Sequence, residues 1–192
     1  ADGITSVAAN ATLTLAELRG LTYKTVADAS GSGNLTWTVQ DNGGTGNGGV
    51  DTLTENLSIT VVAVNDAPVL TTSGGALAYT ENQASTPIDA GLTVSDVDNA
   101  TLTGATVTIS VNYASGQDVL TFTNQLGITG SWNAGVGVLT LSGVASVADY
   151  QTALRSVVYF NSSDAPSTLA RTIAFTVNDG AAGSAAATRT VT

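Results

Sequence analysis

The chain of 192 residues holds 15 acidic and 5 basic side chains, a net charge of −10 although only 10% of its residues are charged, and it contains no Cys, Met or His. That composition excludes thiol and imidazole chemistry, disulfides and the usual zinc, copper and haem ligands, so any metal must be hard and held by oxygen. A basic footprint for nucleic acid or an anionic membrane is absent, and no apolar run nears the roughly 20 residues of a membrane-inserted helix.

Only 5% of residues are aromatic against 43% hydrophobic, which predicts a lean core of Val, Leu, Ile and Ala. Segments 4–8 and 12–15 are the first strand candidates. Thr14-Leu-Ala-Glu17 fits a capping box and Gly20 can supply a left-handed stop, so residues 15–19 should form one helical turn. Alternation then predicts strands over 21–26 and 34–40, with Leu21, Tyr23 and Thr25 on one face and Leu35, Trp37 and Val39 on one face of the next. Trp37 reads as a core anchor.

Residues 41–50 form a glycine-rich loop. It contains Gly44-x-Gly46-x-x-Gly49, but no helix follows to present amides to a phosphate, and one copy with Asn47 at an Asp position cannot stack into a calcium-binding β-roll. A hairpin loop is the reading that remains. Residues 51–64 complete this portion.

At Val64-Asn65-Asp66-Ala67-Pro68 the pattern stops. Asn and Asp favour turns and offer side-chain oxygens, while Pro68 fixes its own φ and holds Ala67 extended. The stretch reads as the joint between two modules. Beyond it, segments 76–80, 92–95, 106–112, 119–123, 137–142, 157–161, 171–178 and 186–192 read as strands, and 146–157 as a short helix or turn with a capping-box-like start at Ser146. That spacing predicts an all-β sandwich.

The two portions repeat one another. Leu18-Arg19-Gly20-Leu21-Thr22-Tyr23 matches Leu154-Arg155-Ser156-Val157-Val158-Tyr159, and Trp37-Thr-Val-Gln-Asp41 matches Phe175-Thr-Val-Asn-Asp179 at nearly the same offset. Residues 1–66 are therefore expected to be the C-terminal portion of a module, and 67–192 a second module whose last strand is truncated.

Acidic residues give the chain its chemistry. Asp96 and Asp98, two apart in an extended segment, project to one side and can embrace one ion; an Asx turn accounts for them equally well. Asp179 stands at a strand end of the same sandwich, and Asn65 and Asp66 at its entrance. Asp89, Asp118, Asp149 and Asp164 read as turn or capping residues. An EF-hand is a poor fit, since the loop from Asp96 lacks the required Gly and Glu. Asn-x-Ser/Thr sequons, Asn99 among them, are expected by chance. Without His or Cys no nucleophile and base can be assembled, so no catalytic residue and no enzyme activity is expected.

Taken together, Val64-Asn-Asp-Ala-Pro-Val-Leu, Leu139-Thr-Leu-Ser-Gly, Asp149-Tyr-Gln-Thr-Ala-Leu-Arg and Phe175-Thr-Val-Asn-Asp-Gly resemble phrases of a known family. They are similar to the bacterial cadherin-like tandem repeats of large secreted surface adhesins, many of which also carry repeats-in-toxin elements. The resemblance implies Greek-key, Ig/cadherin-like β-sandwich modules in tandem, bound by Ca2+ at their joints. It assigns metal-ligand positions to Asn65 and Asp66 in the linker, to Asp96 and Asp98, to the early Glu81 and to the late Asp179. Ala63 replaces the linker's first Asp, its second Asn is absent and no Asp-Arg-Glu element is present, so one or two ions per joint are expected rather than three. Glu81 is expected to serve the far end of its module.

The function this implies is a calcium-binding structural repeat of a secreted adhesin or matrix protein at a bacterial cell surface, with neighbouring repeats of the same chain as partners. Two other classes stay open. Trp132 in Gly130-Ser-Trp-Asn can stack on a sugar ring or pack in a strand, which leaves a glycan or host-surface binding module. Incomplete modules with open sheet edges leave a homopolymeric filament or surface-layer subunit.

Overall fold

The computed structural model describes residues 6–192 and is all-β, with two short helices among many strands. It divides into two compact units, Ala1–Ala63 and Val64–Thr192, so Asn65 and Asp66 belong to the second.

In the first unit, the expected helical turn is α1, Leu15–Arg19. Its capping box is closed, with Thr14 Oγ1 accepting from Glu17 N at 3.3 Å and the Glu17 carboxylate accepting from Thr14 N at 2.7 Å. Gly20 ends it at φ −91°, outside the left-handed region expected of it. Strands β1 (Gly31–Gln40) and β2 (Thr52–Val61) then form an antiparallel hairpin, from Gly31 opposite Val61 to Gln40 opposite Thr52. The glycine-rich loop joins them through a single tight turn at Gly46–Gly48. Segments 12–15 and 21–26 are not strands. Alternation alone does not make one, because a strand's backbone groups need a neighbour and, among the described residues, no strand pairs with these. Of the 4–8 candidate, residues 6–8 are irregular and the rest lies outside the described residues.

The second unit contains β3 (Val69–Thr71), β4 (Ala76–Leu77), β5 (Thr86–Pro87), β6 (Thr93–Ser95), β7 (Thr101–Val111), β8 (Asp118–Thr121), β9 (Thr129–Asn133), β10 (Val138–Ser146), α2 (Val147–Arg155), β11 (Val158–Asn161), β12 (Arg171–Asn178) and β13 (Ala187–Val191). The main sheet runs β4-β13-β12-β7-β10-β9; β5-β11-β8 and β3-β6 form smaller sheets, in a sandwich-like arrangement. All pairings are antiparallel except β13 with β4.

Alternate residues of the long strands point inward. Val107, Leu141, Ile173 and Phe175 from the main sheet meet Leu120 and Tyr159 from β8 and β11, all buried, which is the aliphatic core the composition predicts. Helix α2 adds Tyr150, Ala153 and Leu154 from one face. Its cap is Ser146, whose hydroxyl accepts from Asp149 N at 3.0 Å. Trp132 is half-buried on β9 and packs edge-to-face on Tyr113 with ring centroids 6.2 Å apart, which favours the strand-packing role.

Two of the acids expected at turns hold them, through the Gly91 and Ala114 amides, and are buried as well. Asp118 receives Tyr159 Oη at 2.5 Å, Asn161 Nδ2 at 2.6 Å and Arg171 Nε at 3.2 Å. Asp89 accepts from the Ser73 hydroxyl at 2.7 Å and from the Ser73 and Gly91 amides at 2.8 and 3.0 Å, with Arg189 at 3.4 Å. Burial opposes the Asp89 charge, but those donors and Arg189 outweigh it and hold the carboxyl below its ordinary range.

Candidate functional site

Three segments distant in sequence meet at one end of the second unit. They are the entrance 64–68, the loop 96–100 between β6 and β7, and the loop after β12 that begins at Asp179. Pro68, buried, anchors the first of these. Because β7 pairs with β12 so that Gly104 lies opposite Asn178, the start of one strand and the end of the other bring their loops side by side.

Asn65 Nδ2 donates to Asp179 Oδ2 at 2.9 Å and to the Asp66 carbonyl at 3.0 Å. The Asp66 amide donates to Asp98 Oδ2 at 3.1 Å. Asp96 Oδ1 accepts from the Asp98 and Asn99 amides at 3.1 and 2.8 Å, so the Asx turn expected at this pair is present. Its other oxygen, Oδ2, is buried and accepts no hydrogen bond. Asp179 Oδ1 accepts from Ala181 N and Ala182 N, each at 2.6 Å. The Ala182 amide first, and the Asn65 amide after it, hold the Asp179 carboxyl below its ordinary range.

At the centre stands Asn99, which is not among the residues the resemblance assigns. Its side-chain NH2 faces three oxygens at once: Asn65 Oδ1 at 2.7 Å, Asp179 Oδ2 at 3.3 Å and Asp98 Oδ1 at 3.4 Å. One neutral donor group occupies the point on which several acceptors converge. The only signal for it in the sequence is an Asn directly after Asp-x-Asp.

No cation of the second unit reaches this cluster. Its three basic residues are committed elsewhere, Arg155 to the Leu92 carbonyl at 2.7 Å, Arg171 to Asp118 and Arg189 to Asp89. Among the described residues no group of three or more carboxylates stands close enough to form a ready cage for a metal. The acids are spaced by the two asparagine amides. Rotating either amide about its last torsion exchanges a donor for a carbonyl oxygen, a change that costs no backbone movement. The donor set is all oxygen, as a hard divalent cation requires, and the orphaned Asp96 Oδ2 is an acceptor in want of a partner.

Glu81 does not join them. It is exposed on the turn between β4 and β5, where Tyr79 Oη donates to the Gln83 carbonyl at 2.7 Å and accepts from Asn161 N at 3.2 Å. Asn161 belongs to the Asp118–Arg171 group, near the Val111 end of β7, whereas Asp96 and Asp98 precede its Thr101 end. Glu81 therefore lies toward the opposite end of the unit.

Over 166 residues, 84% of its length, the chain is 37% identical to halomucin of Haloquadratum walsbyi. The match covers 2% of that much longer protein. No protein-family profile matches the chain, and no solved structure does. Among the described residues no helix is long and apolar enough to cross a membrane.

Proposed function

We propose that the chain is a repeat of a large extracellular or cell-surface protein, of adhesin or matrix type, and that its 64–68 entrance is a calcium-dependent joint. The observation that carries this reading is the convergence of the Asn65, Asp96, Asp98, Asn99 and Asp179 side chains, with the Asp66 backbone, and no basic side chain of their own unit to neutralise them. The likeness to a small part of a very long protein, halomucin, supports a repeat that recurs within a larger surface polymer. The acidic, Cys-free composition suits such a setting without requiring it.

The Asp66, Asp96, Asp98 and Asp179 carboxylates, with the Asn65 and Asn99 carbonyls after amide rotation, are the groups that would hold the ion. Calcium supplies the positive charge that lets these oxygens approach. Without that charge the carboxylates repel, and besides buried Pro68 the entrance is held by amide hydrogen bonds to the Asp98 and Asp179 carboxylates, worth about 1.5 to 3 kcal/mol each. With it, the direction in which the chain enters the unit is fixed. Extracellular calcium modules bind at about 0.1 to 1 mM, so a site adds about 0.4 to 1.4 kcal/mol at about 1 mM calcium. The effect accumulates along an array.

The test is calorimetric titration with calcium, together with melting temperature in calcium and in chelator, on the chain and on the Asp96→Ala/Asp98→Ala variant. A saturable heat and a calcium-dependent rise in melting temperature, both absent from the variant, are expected. No binding up to about 10 mM would remove the joint from the proposal.

A further inference from the structure

The β1–β2 ribbon is sharply two-faced. Thr36 and Asn56, Thr38 and Thr54, and Asn34 and Ser58 oppose one another on one face, with Thr36 Oγ1 donating to Asn56 Oδ1 at 2.5 Å and the Thr38 and Thr54 hydroxyls 3.1 Å apart. The other face sets Leu35 against Leu57, Val39 against Leu53 and Trp37 against Glu55. It is open, with Leu35 41%, Leu57 50% and Leu53 58% exposed. Among the described residues no third strand lies along either outer edge of the ribbon. An isolated two-stranded ribbon is marginal in water, and a contiguous apolar face with unpaired edges is a surface built to be covered.

The internal repeat says what covers it. Thr14 and Ser146 cap α1 and α2 by the same bond, their hydroxyls accepting from the amide three residues on. Tyr23 corresponds to Tyr159, and the hairpin β1–β2 corresponds to the hairpin β12–β13, with Trp37 at the place of Phe175. In the second unit that hairpin has what the ribbon lacks. Strand β7 lies along the free edge of β12, and Ile173, Phe175 and Val177 are buried. Strand β10, which flanks β7, runs directly into the cap Ser146. The strands that cover the hairpin therefore come from the segment immediately N-terminal to the helix.

We propose that the apolar face and β1 edge of the ribbon dock a first half-module of this same repeat type, the counterpart of residues 64–146, carried on the same polypeptide on the N-terminal side of Thr14. Its β7-like strand pairs with β1, and its inward Val, Leu and Ile side chains cover Leu35, Trp37, Leu53 and Leu57.

The test joins a copy of residues 64–146 directly to Leu15 of the chain, so that Ser146 of the copy takes the place of Thr14 as the cap. Amide exchange is followed over Gly31–Gln40 and Thr52–Val61, and Trp37 emission is read with Trp132→Phe in both copies. Ribbon exchange is expected to slow by at least about 100-fold relative to the unextended chain, with a blue shift of Trp37. Leu35→Asp with Leu57→Asp should reverse both while leaving β12 protected. The proposal is overturned if the ribbon exchanges as fast as before while the added strands are protected. An added copy as unprotected as the ribbon counts against it equally, because docking orders both halves. Ribbon protection that rises with concentration in the unextended chain also overturns it, by naming a second copy as the occupant.

Discussion

The side-chain amide of Asn65 donates to Asp179 Oδ2 at 2.9 Å, tying together residues 114 positions apart. Asp179 is held below its ordinary range by the Ala182 amide first and then by Asn65. A depressed folded value means that the carboxylate's contribution to stability is present above the unfolded value, about 3.9, and is lost as pH falls through the lower folded one. An NMR titration of the Asp179 side chain should therefore have its midpoint below the ordinary value. Asn65→Ala should raise that midpoint part of the way, since the backbone donors remain. A midpoint indifferent to Asn65→Ala would show that the bond is absent in solution.

Asn99 and Glu81 make opposite predictions for the joint. Removing the Asn99 amide removes one neutral oxygen and the bridge among Asn65, Asp98 and Asp179. Asn99→Ala is expected to weaken calcium binding roughly tenfold, about 1.4 kcal/mol. Glu81→Ala, toward the other end of the unit, should titrate like the native chain. Calorimetry on the two variants side by side decides it, and equal losses would mean that the ion is not held at the 64–68 entrance.

Much of this was legible in the sequence, and the parts that were not have a common cause. The strand end placed Asp179 and the linker pattern placed Asn65, but Asp96 and Asp98 reach them through an Asx turn and not along an extended segment, since β6 ends at Ser95. Strands 34–40 and 171–178 alternate strongly and formed. Segment 21–26 alternates as well, yet among the described residues no strand pairs with it, and β3, β5 and β9 are so short that only their neighbours define them. Asp118 and Asp89 read as turn residues because no local pattern reveals a partner such as Arg171, which is 53 positions away, or Arg189. In the sequence Asn99 stands out only as a chance sequon, because its role depends on two other segments arriving beside it.

The Asp118 group predicts a large and non-additive loss. Asp118 and Arg171 are 1% and 5% exposed, and Tyr159, Asn161 and the Ala114 amide complete the carboxylate's bonds. Burial first, and then the bond to Asp118, push the Tyr159 phenol well above its ordinary range, so it remains a donor throughout neutral pH. Asp118→Ala strands a buried guanidinium and should cost about 3 to 5 kcal/mol. Tyr159→Phe removes one donor and should cost about 1 to 3 kcal/mol. In urea unfolding, the double variant should lose less than the sum of the two, because the hydroxyl has no carboxylate left to serve.

Gly143 sets how β10 turns toward α2. The register of β10 against β7 shifts between Ser142 and Ala145, and Gly143 sits inside that bulge at φ +141°, a conformation that side-chain-bearing residues rarely adopt. A Cβ at this position would strike the Gly127 carbonyl, while the Gly143 carbonyl itself accepts the Tyr150 hydroxyl at 2.6 Å. Strain and steric conflict therefore act together, and neither neighbour is a flexible side chain that can yield. Gly143→Ala is expected to destabilise the unit by more than about 2 kcal/mol. Gly104→Ala is the matched control on the adjoining strand: its added methyl would meet the Leu141 carbonyl at 3.4 Å, an ordinary contact, without a positive φ. It should stay within about 1 kcal/mol of native. Urea midpoints for the two variants test the bulge directly, and a native midpoint for Gly143→Ala would mean that β10 reaches α2 by another path.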